Sequence, residues 1–226
     1  MSLILNIETA TTVCSVAVSD KEKTLASREV NNGYTHAENL HVFMKEVLSE
    51  ANIKPQELSA VAVSKGPGSY TGLRIGVSAA KGIAYALNIP LLSVDTLQIM
   101  AQIAQQNVKK TGLYIPMLDA RRMEVYTATY NELGEEISTV SAVIVSEESV
   151  LQFKCNSPLY FFGDGMPKCK SLLEILPGSI FIENIVPSAV FMPSISYKKF
   201  QQQQFENVAY FEPFYLKEFY LRSEKK

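Results

Sequence analysis

The chain opens on alternating short apolar and polar blocks. Leu3 to Ile7 is an apolar run, ETATT a tight polar turn, and Cys14 to Ser19 a return through β-branched and small residues, which together predict a β-hairpin. Thr35 followed three residues later by Glu38 has the form of a capping box, in which each side chain satisfies an N–H at a helix start. Behind it, Ala37, Leu40, Phe43, Met44, Val47, Leu48 and Ala51 recur at spacings of three and four, the broad apolar face of a helix. After Pro55 comes a short apolar strand, Leu58 to Ser64. The stretch KGPGSYTGLRIG follows, then a helix from about Gly72 to Leu87, ended by Asn88-Ile89-Pro90. Leu91 to Val94 reads as another buried strand closing on Asp95, and a helix with a Gln-rich polar face runs to about Val108. Hairpin, helix, strand, helix, strand, helix is an α/β arrangement.

A second unit starts at Leu113. Sliding the sequence by 111 positions sets Ile115 on Ile4, Leu118 on Ile7, Asp119 on Glu8, Val125 on Cys14 and Ala128 on Ala17. In both places an apolar strand ends in an acid, crosses a turn and returns as a strand, so the expected organisation is a duplicated α/β unit divided into residues 1–110 and 111–226. Later strands are expected at Val125 to Tyr130, Ile137 to Val145, Leu159 to Phe162 before Gly163-Asp164-Gly165, and Ile180 to Ile182. A helix is expected through Tyr197 to Gln204, with Pro193 blocking an earlier start, and the aromatic tail FEPFYLKEF as packed extended chain.

Composition narrows the function classes. Hydrophobic residues at 47%, charged residues at 19% and a net charge of −2 lack the basic excess of an autonomous nucleic-acid binder. Cys14, Cys155 and Cys169 form no C-x-x-C pair and fit a reducing compartment. The N-terminus has no basic region before its apolar run, which Glu8 interrupts, and no segment approaches the ~18 apolar residues of a membrane span, so a cytoplasmic location is expected.

Two hairpins whose turns follow an acid can meet phosphates with N–H groups and hydroxyls while the acids address Mg²⁺ or water. That makes Glu8, Thr9, Thr11, Asp119 and Arg121 nucleotide-site candidates, although Ala10 and Ala120 stand where glycine would bring backbone to phosphate; the alternative is that they are simply polar turns. His36 and His41 lie about 140° apart around a helix, off the one-face spacing of a metal pair, so no metal site is expected. The glycine stretch fails two nucleotide-loop spacings. The third glycine of a dinucleotide fingerprint belongs at position 71, where Thr71 stands, and no Lys-Ser/Thr pair follows as in a P-loop. Gly72, Gly76, Ala80 and Ala84 instead recur every four residues as a nearly bare helical ridge. A glycine inside a helix costs roughly 1 kcal/mol against alanine, so Gly76 and Gly82 call for close approach of another helix, this chain's own first helix or a second subunit.

ILNIETATTVCSVAV, THAENLH, VAVSKGPGSYTGLRIGVSAAKGIAYAL, LLSVDTLQ, LDARRMEVY and EPFYLK together resemble the TsaB family, small subunits of the bacterial machinery that makes threonylcarbamoyladenosine next to the tRNA anticodon. The resemblance implies an actin-like ATPase fold of two related subdomains and a non-catalytic scaffold role. Its partner would be a larger relative, TsaD, which carries a metal-binding His-x-x-x-His where this chain has Thr96 and Met100; a hydroxyl and a thioether are poor replacements at a hard metal centre. It further implies pairing of the first two helices with those of TsaD, or with a second copy when TsaD is absent, use of TsaE, and tRNA contact only through the complex. The partner-face candidates are His36, Leu40, Phe43, Met44 and Val47 on one helix and Gly72, Ile75, Gly76, Ala79, Ala80 and Ile83 on the next. ATP or ADP at that interface is left open. An ATP-dependent small-molecule kinase of the same fold, using Glu8 and Asp119, is the alternative.

Overall fold

The computed structural model describes residues 1–33 and 35–216. Strands β1 (Leu3–Glu8), β2 (Cys14–Asp20) and β3 (Lys23–Val30) lead into helix α1 (His36–Glu50), followed by β4 (Ala60–Gly66), α2 (Tyr70–Leu87), β5 (Leu91–Asp95) and α3 (Thr96–Val108). The second half repeats the plan with β6 (Leu113–Asp119), β7 (Glu124–Tyr130), β8 (Glu136–Ile144), β9 (Leu159–Phe162), α4 (Met166–Leu173), β10 (Ser179–Ile182) and α5 (Pro193–Gln201), a 3₁₀ turn at Ser149–Phe153 standing where α1 stands in the first half.

The two sheets have the same order, β3-β2-β1-β4-β5 and β8-β7-β6-β9-β10. In each, three strands form an antiparallel meander and the last two join in parallel. The 111-residue repeat therefore has a structural counterpart, with Glu8 and Asp119 at corresponding strand ends. Glu8 pairs with Ser15 and Asp119 with Val125, so the second hairpin is tighter by one residue.

Strand alternation divides the interior. Ile4, Ala62 and Val94 face a core that surrounds α3 and reaches Tyr114, Leu118 and Tyr160 of the second sheet. Leu5, Ile7, Val16, Val63, Leu40, Met44, Val47, Val77 and Ala80 form another core beneath α1 and α2. After β10 the chain returns to the first sheet. The Ser196 hydroxyl of α5 donates to buried Asn6 Oδ1 at 2.7 Å, and Glu206 pairs with Leu91 at the β5 edge. Further along, Lys81 of α2 donates to the Ala209 and Phe211 carbonyls, and the Phe214 N–H donates to Lys65 O at 2.7 Å. This return segment covers an edge that would otherwise expose unpaired backbone groups.

Four local readings change. β3 exists although its residues, KTLASREV, carry no clean alternation; only Ala26 is fully buried there, and pairing with β2 holds the strand. Helix α4 is also new. The α1 capping box is not formed: the Thr35 hydroxyl donates to Asn32 Oδ1 and receives the Asn39 amide, leaving it no role at the helix N–H groups. Pro193 starts α5 rather than delaying it, because the first helical position needs no N–H donor. Of the expected tail, Lys217, Glu218 and Phe219 lie outside the described residues.

Candidate functional site

The β1–β2 turn packs directly on the glycine stretch. A Cβ at Gly68 would collide with the Ala10 carbonyl, one at Gly72 with the Thr9 carbonyl, and one at Gly76 with Thr9 Oγ1. Polar contacts fix the same arrangement. The Ser69 N–H donates to Ala10 O at 2.6 Å, and Thr9 Oγ1 donates to Gly72 O at 2.8 Å. Ser69 also caps α2, its hydroxyl accepting from the Gly72 N–H. At Gly66 the backbone has φ +117°, and a Cβ would stand 2.7 Å from the Phe214 carbonyl of the return segment. The glycines thus serve close packing of one hairpin turn and one strap within the chain. At Gly76 the space a side chain would need is filled by Thr9 rather than by α1.

Gly82 differs. A Cβ there would meet nothing within 4 Å among the described residues. Ser78, Gly82 and Ala86 are exposed along this side of α2, while Ile75 and Ile83 are half-buried and Ala79 nearly buried beside them. On α1, Phe43 is half-buried, whereas Leu40, Met44 and Val47 point into the chain's own core. Of the eleven residues expected on a partner face, His36, Leu40, Met44, Val47, Gly72, Gly76 and Ala80 are interior, leaving Phe43, Ile75, Ala79 and Ile83 at or near the surface. His36 donates through Nε2 to the Thr11 carbonyl at 2.8 Å, an acceptor that requires the proton on that nitrogen, and burial lowers its pKa.

A cleft of about 890 Å³ lies between the two halves, bordered by the turns Ala10–Thr12 and Leu118–Arg122 and by Ser69, Asp164 and Tyr215. Thr11, Asp119 and Arg121 border it; Glu8 and Thr9 are fully buried behind it. Burial pushes the Glu8 carboxyl up to about 7, against the N–H groups of Ala10 and Thr9 and the adjacent Ser64 hydroxyl, which favour the anion. Its Oε1 accepts from the Ala10 N–H at 2.5 Å, while Oε2 and Ser64 Oγ lack a well-aligned hydrogen bond. Across the cleft, burial opposes ionisation of Asp119, but the Lys168 ammonium and the Arg121 N–H hold its carboxyl below the usual range. The Asp119 N–H donates to Asp164 Oδ1 at 2.9 Å, and Lys168 also donates to Glu124 O at 2.6 Å. Sequence reasoning missed Lys168 and Asp164. The available signal was the acid in Gly163-Asp164-Gly165, which follows an apolar strand as Glu8 and Asp119 do.

These residues do not fit the Mg²⁺-nucleotide that the fold implies. One turn N–H already serves Glu8, Gly68 backs onto Ala10, burial opposes ionisation of Glu8, and Asp119 is paired with an ammonium. Thr96 and Met100 are fully buried in α3, and among the described residues no three His, Cys, Asp or Glu side chains converge as a metal site. No helix among the described residues is long and apolar enough to cross a membrane.

A curated relative from Bacillus subtilis, named tRNA threonylcarbamoyladenosine biosynthesis protein TsaB, is 31% identical over 179 residues, covering 78% of this chain and 77% of the relative. The chain belongs to the TsaB family. An Escherichia coli TsaB is 29% identical over 225 residues, covering 95% and 94% of the two chains. The family model described as TsaD, tRNA N6-adenosine threonylcarbamoyltransferase, matches residues 30–217. A solved structure, YeaZ from Pseudomonas aeruginosa, superposes with a TM-score of 0.80 at 27% identity over 96% of this chain and all of that one. The fold is α/β, the actin-like ATPase fold of two related subdomains. Within this TsaB-family chain, the glycine motif packs the β1–β2 turn against α2, and among the described residues nothing packs on Gly82.

Proposed function

We propose that this chain takes part in making threonylcarbamoyladenosine in tRNA as a non-catalytic subunit that docks a TsaD-type enzyme through α1 and α2. The names of the TsaB relatives and the TsaD family model support the pathway. The observation that carries the docking surface is Gly82. A mid-helix glycine with open space around it sacrifices roughly 1 kcal/mol of helix propensity, and nothing among the described residues offsets that. A second helix crossing close over Ser78, Gly82 and Ala86, flanked by Ile75, Ile83 and Phe43, would do so. The non-catalytic assignment rests on Thr96 and Met100 at the positions where the resemblance places TsaD's metal-binding histidines, both sealed in the core.

In this reading residues 1–110 form the docking subdomain and residues 111–226 the second. The latter lends its return segment to brace Lys65 and α2. Without the enzyme the same face pairs with a second copy; TsaE and tRNA join through the complex, in the cytoplasm. Any ATP or ADP sits at the partner interface rather than on Glu8 and Asp119. The test is reconstitution: tRNA modification by the TsaD-type enzyme with TsaE and ATP, with and without this chain. Stimulation on adding the chain supports the proposal; full activity without it, or ATP turnover by the chain alone that is lost in Asp119→Asn, refutes it.

A further inference from the structure

We propose that the Lys168 ammonium is a built-in cation of the cleft, occupying the place beside the Asp119 carboxylate and the Glu124 carbonyl that a divalent ion would otherwise take. Two oxygens of different strands, Asp119 Oδ1 at the end of β6 and Glu124 O at the start of β7, converge on Nζ. A third oxygen-bearing group, Asp164, is tied to the same strand end by accepting the Asp119 N–H. Hard divalent cations favour such a set of carboxylate and carbonyl oxygens completed by water.

The position of the ammonium is fixed by packing. The 163–165 loop lies against β6: a Cβ at Gly163 would collide with the Met117 carbonyl, one at Gly165 would stand 2.9 Å from Leu118 backbone, and the Gly165 N–H donates to Met117 O at 2.9 Å. Helix α4 begins immediately afterwards and carries Lys168 in its first turn. The depressed Asp119 carboxyl is consistent with a permanent counter-ion. A tethered ammonium satisfies the acid without dissociating, so an arriving cation must first displace a group held at high local concentration. The cleft then keeps the geometry of a cation site while remaining closed to free ions.

Mn²⁺ titration followed by electron paramagnetic resonance, which reads free aqueous ion, tests this on the full chain. The wild type and Lys168→Arg are expected to leave Mn²⁺ free. Lys168→Met should bind one ion at least tenfold more tightly than wild type, in the weak range of about 10⁻⁴ to 10⁻³ M, and lose it again when Asp119→Asn is added. Equal binding by the wild type, or none by a folded Lys168→Met, overturns the proposal. If Lys168→Met fails to fold, Lys168→Gln is read by the same criteria.

Discussion

Replacing Glu8 by Gln should stabilise the protein at alkaline pH and change little in acid. The carboxyl is fully buried, and its pKa rises from the ordinary 4.5 to about 7 chiefly through burial. The folded state therefore holds a proton that the unfolded chain has already released between those values. Stability from this group is fully present below 4.5 and is lost as pH rises toward and through 7. At ~1.4 kcal/mol per pH unit, the loss approaches about 3 kcal/mol by pH 8, an upper figure because the surroundings of an anion relax. Gln keeps the Oε1 acceptor for the Ala10 N–H and places an amide donor near Ser64 Oγ. Urea unfolding of both proteins from about pH 5 to 8.5 measures this. The wild type should lose stability across the window and the variant should not. Parallel curves would show that Glu8 ionises at no cost and would refute the claim that it is unsuited to hold a cation.

Other outcomes follow from the packing. Gly76→Leu should destabilise the isolated chain by several kcal/mol, since its side chain must displace Thr9, a result visible as a lowered melting temperature without any partner. Ser196→Ala leaves the buried Asn6 Oδ1 without its hydroxyl donor and should cost about 1–3 kcal/mol in chemical unfolding. Lys81→Met removes two hydrogen bonds to the return segment, so amide exchange around 209–214 should accelerate while the α3 core stays protected; unchanged exchange would mean that the Phe214–Lys65 backbone bond and the packing of Val208 and Phe211 hold the segment without Lys81.

Much of the scaffold was legible in the sequence because it rests on periodicity. The apolar strands, the broad face of α1 and the 111-residue repeat all follow from which positions must avoid water. What escaped depended on neighbours distant in sequence. β3 is a strand because β2 offers it a ladder, not because its own residues alternate. The Thr35 box lost to Asn39, an equally local competitor. Helix α4 hid behind Pro167 and a short length, and with it Lys168, whose contact with Asp119 joins residues far apart in the chain. The glycines carried a readable signal, but spacing alone could not say what approaches them. Thr9 fills the space at Gly76, while among the described residues the space at Gly82 is open, a difference that depends on the three-dimensional packing.

That difference makes Gly82 the most direct test of docking. Gly82→Ala and Gly82→Leu both have room in the free chain, so both should fold at least as stably as wild type by circular dichroism and thermal melting. Size-exclusion chromatography with the TsaD-type partner then reads the interface. The account predicts a complex with wild type, a weakened one with Gly82→Ala and none with Gly82→Leu. An undiminished complex with Gly82→Leu would contradict it.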